Sequence, residues 1–287
     1  RILRKLGEGG MGAVYLAEDH GNARKVAVKV LPRKHAKDLD FLKRFNRECQ
    51  AAIQLDHPNI VQGYCSGEDK GYHFFVMQYC EGESLRKRLD RSKFLPVPDA
   101  CGLTIQIARG LQYAHQAGFI HRDVKPENVI VTSANVAKIL DLGLTKNLED
   151  TEASFRTATG AALGTPHYIS PEQARGDPGI DGRCDIYSLG ATFYHLVTGR
   201  VPFSGSSIFE VIQKQLMEQL PDPRDTRPEI PEGVVQVLRR MMAKSPDDRY
   251  LDCTALLGDL ELVAASLAPR TAPLDPVFFD YDKADLR

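Results

Sequence analysis

The chain has 287 residues, enough for one large domain or two lobes of ordinary size. Apolar residues make up 43% and charged residues 26%, both ordinary for a globular protein, and the formal net charge of -1 excludes a global electrostatic attraction to nucleic acid or to an anionic membrane. No apolar run approaches the roughly 18 residues of a membrane helix, and no signal peptide opens the chain. Because it starts at Arg1 and enters a strand-like run at once, a fragment of a longer protein is expected, with room for a membrane anchor outside it. The six cysteines (49, 65, 80, 101, 184, 253) lie far apart with no C-x-x-C pair, so reduced cytosolic thiols are expected.

In chain order, "RILRKL" and "AVYLAE" read as strands flanking a glycine loop, "KVAVKVL" alternates, and "YHFFVMQY" is a fourth apolar run. One helix interrupts them, "DLDFLKRFNRECQAAIQL". From about Leu85 the pattern turns helical: Leu103, Ile107, Leu111 and Ala114 recur at helical spacing before Gly118, a C-terminal cap. "SIFEVIQKQLME" and "EGVVQVLRRMMA" continue it. Strands first and helices second predict an α+β chain in two lobes, 1–80 and 81–268, with a hinge near 78–84. The proline-rich, acidic stretch 269–287 is expected to be a tail outside the core.

Four features carry chemistry. Gly7, Gly9 and Gly12 fit G-x-G-x-x-G, a loop whose backbone N–H groups can approach a phosphate. An ordinary glycine hairpin explains the loop equally well on its own. In dinucleotide-binding folds a helix follows such a loop, whereas here a strand follows. Second, alternation puts Ala27, Lys29 and Leu31 on one strand face, where a lysine among apolar neighbours needs an anion or a route to water. Third, the apolar stripe Phe41, Phe45, Ala52, Leu55 of the following helix is completed by position 48, which holds Glu48. Pairing Lys29 with Glu48 relieves both groups, since breaking a buried pair costs roughly 3–5 kcal/mol.

The fourth is "HRDVKPENVIV", residues 121–131, together with "DLG" at 141–143. Asn128 and Asp141, on two adjacent turns, supply oxygen ligands of the kind Mg²⁺ prefers, and Asp123 is left to accept a proton from a hydroxyl nucleophile. Any one of these residues alone reads as a turn or cap. Their joint order, glycine loop, strand lysine, helix glutamate, H-R-D-x-K-P-E-N and D-x-G, is the protein-kinase signature set.

Over about residues 1–265 the chain resembles the bacterial eukaryotic-like (Hanks-type) serine/threonine protein kinases, through "LGEGGMGAVYLAED", "RFNRE", "LDHPNIV", "GTPHYISPEQARG" and "CDIYSLGATFYHLVTG". The resemblance implies a bilobal kinase fold that uses ATP with Mg²⁺ (or Mn²⁺) to phosphorylate protein Ser/Thr. It implies that Lys29 contacts the α/β-phosphates, Glu48 orients it, Asp123 is the base, and Asn128 and Asp141 hold the metal. Leu6, Val14, Ala27 and Ile130 correspond to the adenine sandwich, Met77 to the gatekeeper, and Gln78 to Cys80 to the hinge. Glu172 is expected to pair with Arg249, and Asp185 to brace the 121–128 loop. The chain departs from the pattern at Leu142 (usually Phe), Gln78 (often an acid) and "SPE" (usually A-P-E); none removes a chemical group. A non-catalytic scaffold is disfavoured because lysine, base and metal ligands are all present. The long 141–172 segment argues against a small-molecule phosphotransferase.

Autophosphorylation is expected on Thr157 and Thr159, with the Arg122 guanidinium binding the phosphate. Lys125 is expected to neutralise the γ-phosphate, and Thr165 to bridge Asp123 and Lys125 and favour Ser/Thr over Tyr acceptors. The expected partners are protein substrates and a second copy of the chain, as a homodimer. No nucleic-acid partner is expected. The expected location is a cytoplasmic catalytic domain.

Overall fold

The structure, a computed structural model, describes residues 1–9, 12–32, 38–140 and 166–267. Its first part is a five-stranded antiparallel sheet in the order β1-β2-β3-β5-β4. The strands are β1 (Ile2–Gly9), β2 (Gly12–Asp19), β3 (Arg24–Val30), β4 (Gly63–Asp69) and β5 (Tyr72–Gln78). Four of them match the apolar runs read from the sequence. The fifth, β4, was not anticipated: "GYCSGED" is polar and glycine-rich, and it survives as an edge strand paired only to β5. Helix α1 (Leu39–Gln54) lies on the sheet, burying Phe45, Cys49 and Ala52 with Ala27, Leu31, Val61, Phe75 and Met77.

After Gln78 the chain leaves the sheet, and it forms regular structure again at β6 (Gly82–Ser84). Together with β7 (Val129–Thr132) and β8 (Ala137–Ile139), β6 makes a small second sheet. The remainder is helical: α2 (Leu85–Ser92), α3 (Val97–Gln116), α4 (Pro171–Arg175), α5 (Arg183–Thr198), α6 (Ile208–Met217), α7 (Glu232–Met241) and α8 (Cys253–Leu267). Helix α3 starts at Val97 and carries Pro98 in its first turn, where the missing N–H is not needed. It ends at Gln116, and Gly118, read from the sequence as its cap, follows two residues on with a φ of +81° that suits glycine. There the Gly118 and Phe119 N–H groups return to His115 O and Ala114 O. Helix α5 is buried on every side and forms the axis of the larger core.

The two parts are joined by backbone. The Val61 N–H donates to Ile139 O at 2.9 Å, the Ile139 N–H to Asn59 O at 2.8 Å, and the buried Asn59 side chain donates to Ala137 O at 2.9 Å. Among the described residues no helix is long and apolar enough to cross a membrane. Cys101, Cys184 and Cys253 are buried thiols, and burial raises the pKa of each. The 269–287 tail lies outside the described residues.

The expected Glu172–Arg249 pair is present and buried. Arg249 donates from Nη1 to Oε1 at 2.6 Å and from Nη2 to Oε2 at 2.8 Å. Further hydrogen bonds run from its guanidinium to the carbonyls of Ala243, Arg183 and Lys244. This fork ties α4 to the start of α5 and to the turn after α7. Arg249→Ala leaves a carboxylate buried without its cation, and is expected to cost about 3–5 kcal/mol in urea denaturation. A loss below about 1 kcal/mol would contradict that account.

Candidate active site

The glycine loop is the tip of a β-hairpin: Gly7 pairs with Val14, Glu8 with Ala13 and Gly9 with Gly12. Gly12 has φ +118°, and a Cβ there would stand 2.1 Å from Val30 O, so β3 packs where a side chain would be. Residues 10 and 11 lie outside the described residues. Across β2, Val14 faces Lys29 of β3, which faces Phe75 of β5. Lys29 is only 6% exposed. The side chain of its expected partner, Glu48, lies outside the described residues; Glu48 sits in α1, at helical spacing from buried Phe45 and Ala52.

Leu6, Val14, Ala27, Met77 and Cys80 converge on one apolar cluster. Leu140, unremarked in the sequence, packs with them. Ile130 is half-buried in β7, between Ser84 and Lys138. At the hinge, the Gln78 N–H is already given to Gln62 O at 2.8 Å, so the irregular Tyr79 and Cys80 backbone is the part outside the sheet.

In the 121–128 loop, three expected site residues meet at one oxygen. Oδ2 of Asp123 accepts from Lys125 Nζ at 2.8 Å and from Asn128 Nδ2 at 2.9 Å. Nδ2 of Asn128 also donates to the Asp123 carbonyl at 2.8 Å. Both of its hydrogens are thus used, and Oδ1 is the group Asn128 can offer a cation.

The loop backbone is fixed from α5. Asp185 is fully buried; its Oδ2 accepts from the His121 N–H at 2.8 Å and its Oδ1 from the Arg122 N–H at 2.7 Å. His115 Nε2 lies 2.8 Å from Oδ2. Burial alone would raise the Asp185 pKa. The hydrogen bond and charge of His115, with the backbone N–H of His121, outweigh it and hold the carboxyl below its ordinary value. Arg122 adopts φ +62°, unfavourable for a non-glycine residue, and its carbonyl accepts from Gln173 Nε2 at 2.9 Å. His121 links this loop to Leu140: its Nδ1 accepts the Asp123 N–H, so Nε2 carries the hydrogen donated to Leu140 O. The Leu140 N–H in turn donates to Asn128 O at 2.8 Å.

Asp141, Thr157, Thr159 and Thr165 lie outside the described residues, as does Leu142. Sequence reasoning missed His115 and Gln173. His115 carried no signal beyond a polar residue in the last turn of a helix. Gln173 carried a partial one, since Ser170 and Gln173 stand at capping-box spacing and do form that box.

Comparison with known proteins gives the family. A family model described as the protein kinase domain matches residues 1–258. The chain is 38% identical over 261 residues to the serine/threonine-protein kinase PrkC of Bacillus subtilis, covering 91% of this chain and 40% of PrkC. To the serine/threonine-protein kinase PknB of Mycobacterium leprae it is 37% identical over 285 residues, covering 98% of this chain and 45% of PknB. A crystal structure of the Mycobacterium tuberculosis PknI kinase domain superposes with a TM-score of 0.73 at 30% identity, over 93% of this chain and 95% of that one. The chain therefore spans less than half the length of these two curated relatives.

Because the Asp185 carboxyl is held below its ordinary value, its contribution to stability is complete above the unfolded aspartate pKa of about 3.9 and is lost as the pH falls through the lower folded value. Asp185→Asn is expected to lower stability at pH 7 and to flatten the acid limb of a stability–pH curve below about pH 4. An acid limb identical to that of the unaltered chain would exclude Asp185 as its source.

Proposed function

We propose that this chain, which belongs to the protein kinase domain family, is an ATP-dependent serine/threonine protein kinase. The observation that carries the reading is the meeting of Lys125 and Asn128 on one Asp123 oxygen, in a loop anchored by Asp185. A Ser or Thr Oγ attacks the γ-phosphorus. The new O–P bond forms, the bond to the bridging oxygen of ADP breaks, and the hydroxyl proton passes to Asp123. Lys125 offsets the charge that develops on the γ-phosphate.

Lys29, oriented by Glu48, holds the α/β-phosphates, and the Gly7–Gly12 loop closes over them with backbone N–H groups. Leu6, Val14, Ala27 and Ile130 clasp the adenine, with Met77 behind it and Tyr79 and Cys80 presenting the hinge edge. Asn128, through Oδ1, and Asp141 would hold Mg²⁺ or Mn²⁺, a hard cation suited to oxygen ligands. That cation would supply neutralisation of phosphate charge.

In this reading residues 1–80 and 81–268 are the two kinase lobes, and 269–287 is a tail or linker. The catalytic domain is cytoplasmic, with any membrane anchor lying outside this sequence. Activation is by autophosphorylation of Thr157 and Thr159 between two copies of the chain, with Arg122 receiving the phosphate and Thr165 narrowing the acceptor site to short hydroxyl side chains.

Incubation with Mg-ATP followed by intact mass and phosphopeptide mapping tests the reading: added phosphate on Thr157 and Thr159 is expected, and active enzyme unmodified there would remove the activation claim. Lys29→Met and Asp123→Asn are each expected to cut turnover by a hundredfold or more, at about 1.4 kcal/mol per factor of ten, with the fold intact. Near-normal transfer by Asp123→Asn at matched stability would refute its role as base. Peptides differing only in Ser, Thr or Tyr at the acceptor should show transfer to the first two, and comparable turnover on the tyrosine peptide would sink the specificity claim.

A further inference from the structure

Lys244 follows α7 and is half-buried. Its ammonium donates to three oxygens: Gln215 O at 2.8 Å, Lys214 O at 3.2 Å and Tyr187 Oη at 3.3 Å. An ammonium has three hydrogens and accepts nothing, so this set is complete. The same nitrogen stands 4.2 Å from the centroid of the Phe203 ring. Two of its acceptors are carbonyls in the last turn of α6, where a cation is favoured; Lys214 O also accepts the Glu218 N–H at 3.0 Å.

The third acceptor imposes a direction. Because the Tyr187 oxygen accepts from Lys244, its one hydrogen goes onward, to Gln215 Oε1 at 2.6 Å. Gln215 is fully buried. With Oε1 committed, its Nε2 donates to Pro166 O at 3.1 Å and His167 O at 2.8 Å. A second link runs through Phe203, whose carbonyl accepts from His167 Nδ1 at 2.9 Å while its ring faces Lys244. The segment so held leads through Ser170 into α4, where Gln173 donates to the carbonyl of Arg122, the neighbour of Asp123.

We infer that Lys244 is a positioning residue for the polypeptide acceptor. By anchoring the Tyr187 oxygen and the end of α6 it keeps the Tyr187–Gln215 relay on residues 166–168, the segment that leads to the Arg122 carbonyl next to Asp123 and beside which the acceptor would lie. The inference rests on the kinase reading for its substrate, and on the relay geometry for the rest.

A purely stabilising role fits less well. Burial pulls the Lys244 pKa down to about 8; Glu218 opposes the fall and Arg249 adds to it. Its charged form is thus less favourable in the fold than in water, and a hydrocarbon of similar length would serve stability at least as well.

Lys244→Met keeps the hydrocarbon and removes the donors. Gln215→Met removes both donors to residues 166 and 167 while leaving Lys244 in place. With a synthetic peptide copying residues 151–163 as acceptor, each variant is expected to raise the peptide KM about tenfold. The KM for ATP and peptide-free ATP hydrolysis should stay within about twofold, and the double variant should be no worse than the worse single one. Lys244→Met is expected to keep or raise the thermal midpoint. Amide hydrogen exchange at His167 to Ile169 should quicken about tenfold in both variants. An unchanged peptide KM, or a rise in both KM values with a lowered midpoint, would overturn the inference. If the unaltered chain phosphorylates no peptide, the kinase reading fails, and the exchange rates still decide the relay: unchanged rates overturn it.

Discussion

One buried carboxylate sets the geometry on which the rest of the site depends. Arg122 sits at φ +62°, a region that costs a non-glycine residue about 1 kcal/mol or more. The loop keeps that conformation because both Asp185 oxygens are filled by loop N–H groups, one from His121 and one from Arg122. A carboxylate with 0% exposure is tolerable only because donors surround it, and His115 completes the set. The donor chain then passes outward: Arg122 presents its carbonyl to Gln173, and Asp123 follows immediately in the chain. A rigid helix, buried on all faces, is the element best able to hold a strained turn, and Asp185 lies in its first turn.

The acidic side chains divide by exposure. Asp185 and Glu172 have side chains 0% and 7% exposed, each fully engaged with donors, and both tie backbone segments together. Asp123 is 23% exposed and pairs with a lysine that is 21% exposed. Water around such a pair weakens it, so it can be broken and remade at modest cost, whereas the Glu172–Arg249 fork cannot. The loop thus combines an immovable anchor with a carboxylate that can exchange partners, as the proposed proton acceptance by Asp123 requires.

Local features were legible in the sequence. Strand alternation located β1, β2, β3 and β5, and helical spacing located α1 and α3. The crowding of Asp123, Lys125 and Asn128 within six positions marked the loop, because residues that close in sequence meet whatever the rest of the chain does. Contacts at long range were not legible from pattern. Asp185 binds a residue 64 positions away, and Glu172 one 77 positions away; both were reached only through family resemblance. His115, Gln215 and Lys244 were invisible, because periodicity records that a side chain is polar and not that a buried partner awaits it. Strand β4 escaped for a different reason: an edge strand paired on one side needs little apolar character.

Leu140 couples the two halves of the site. Its N–H is held by Asn128 O, its carbonyl by His121 Nε2, and its side chain packs into the cluster of Ala27, Met77 and Cys80. An apolar residue therefore belongs at once to the hydrogen-bond ladder of the loop and to the apolar lining under the five-stranded sheet. The His121 tautomer is fixed by the same ladder, since the Asp123 N–H must be received by Nδ1. Moving Asn128 would disturb Leu140, and moving Leu140 would disturb the cluster, so the geometry of the 121–128 loop and that of the apolar cluster are set together. The two proposed metal ligands inherit this constraint: Asn128 lies at one end of the ladder, and Asp141 is the next residue in the chain after Leu140.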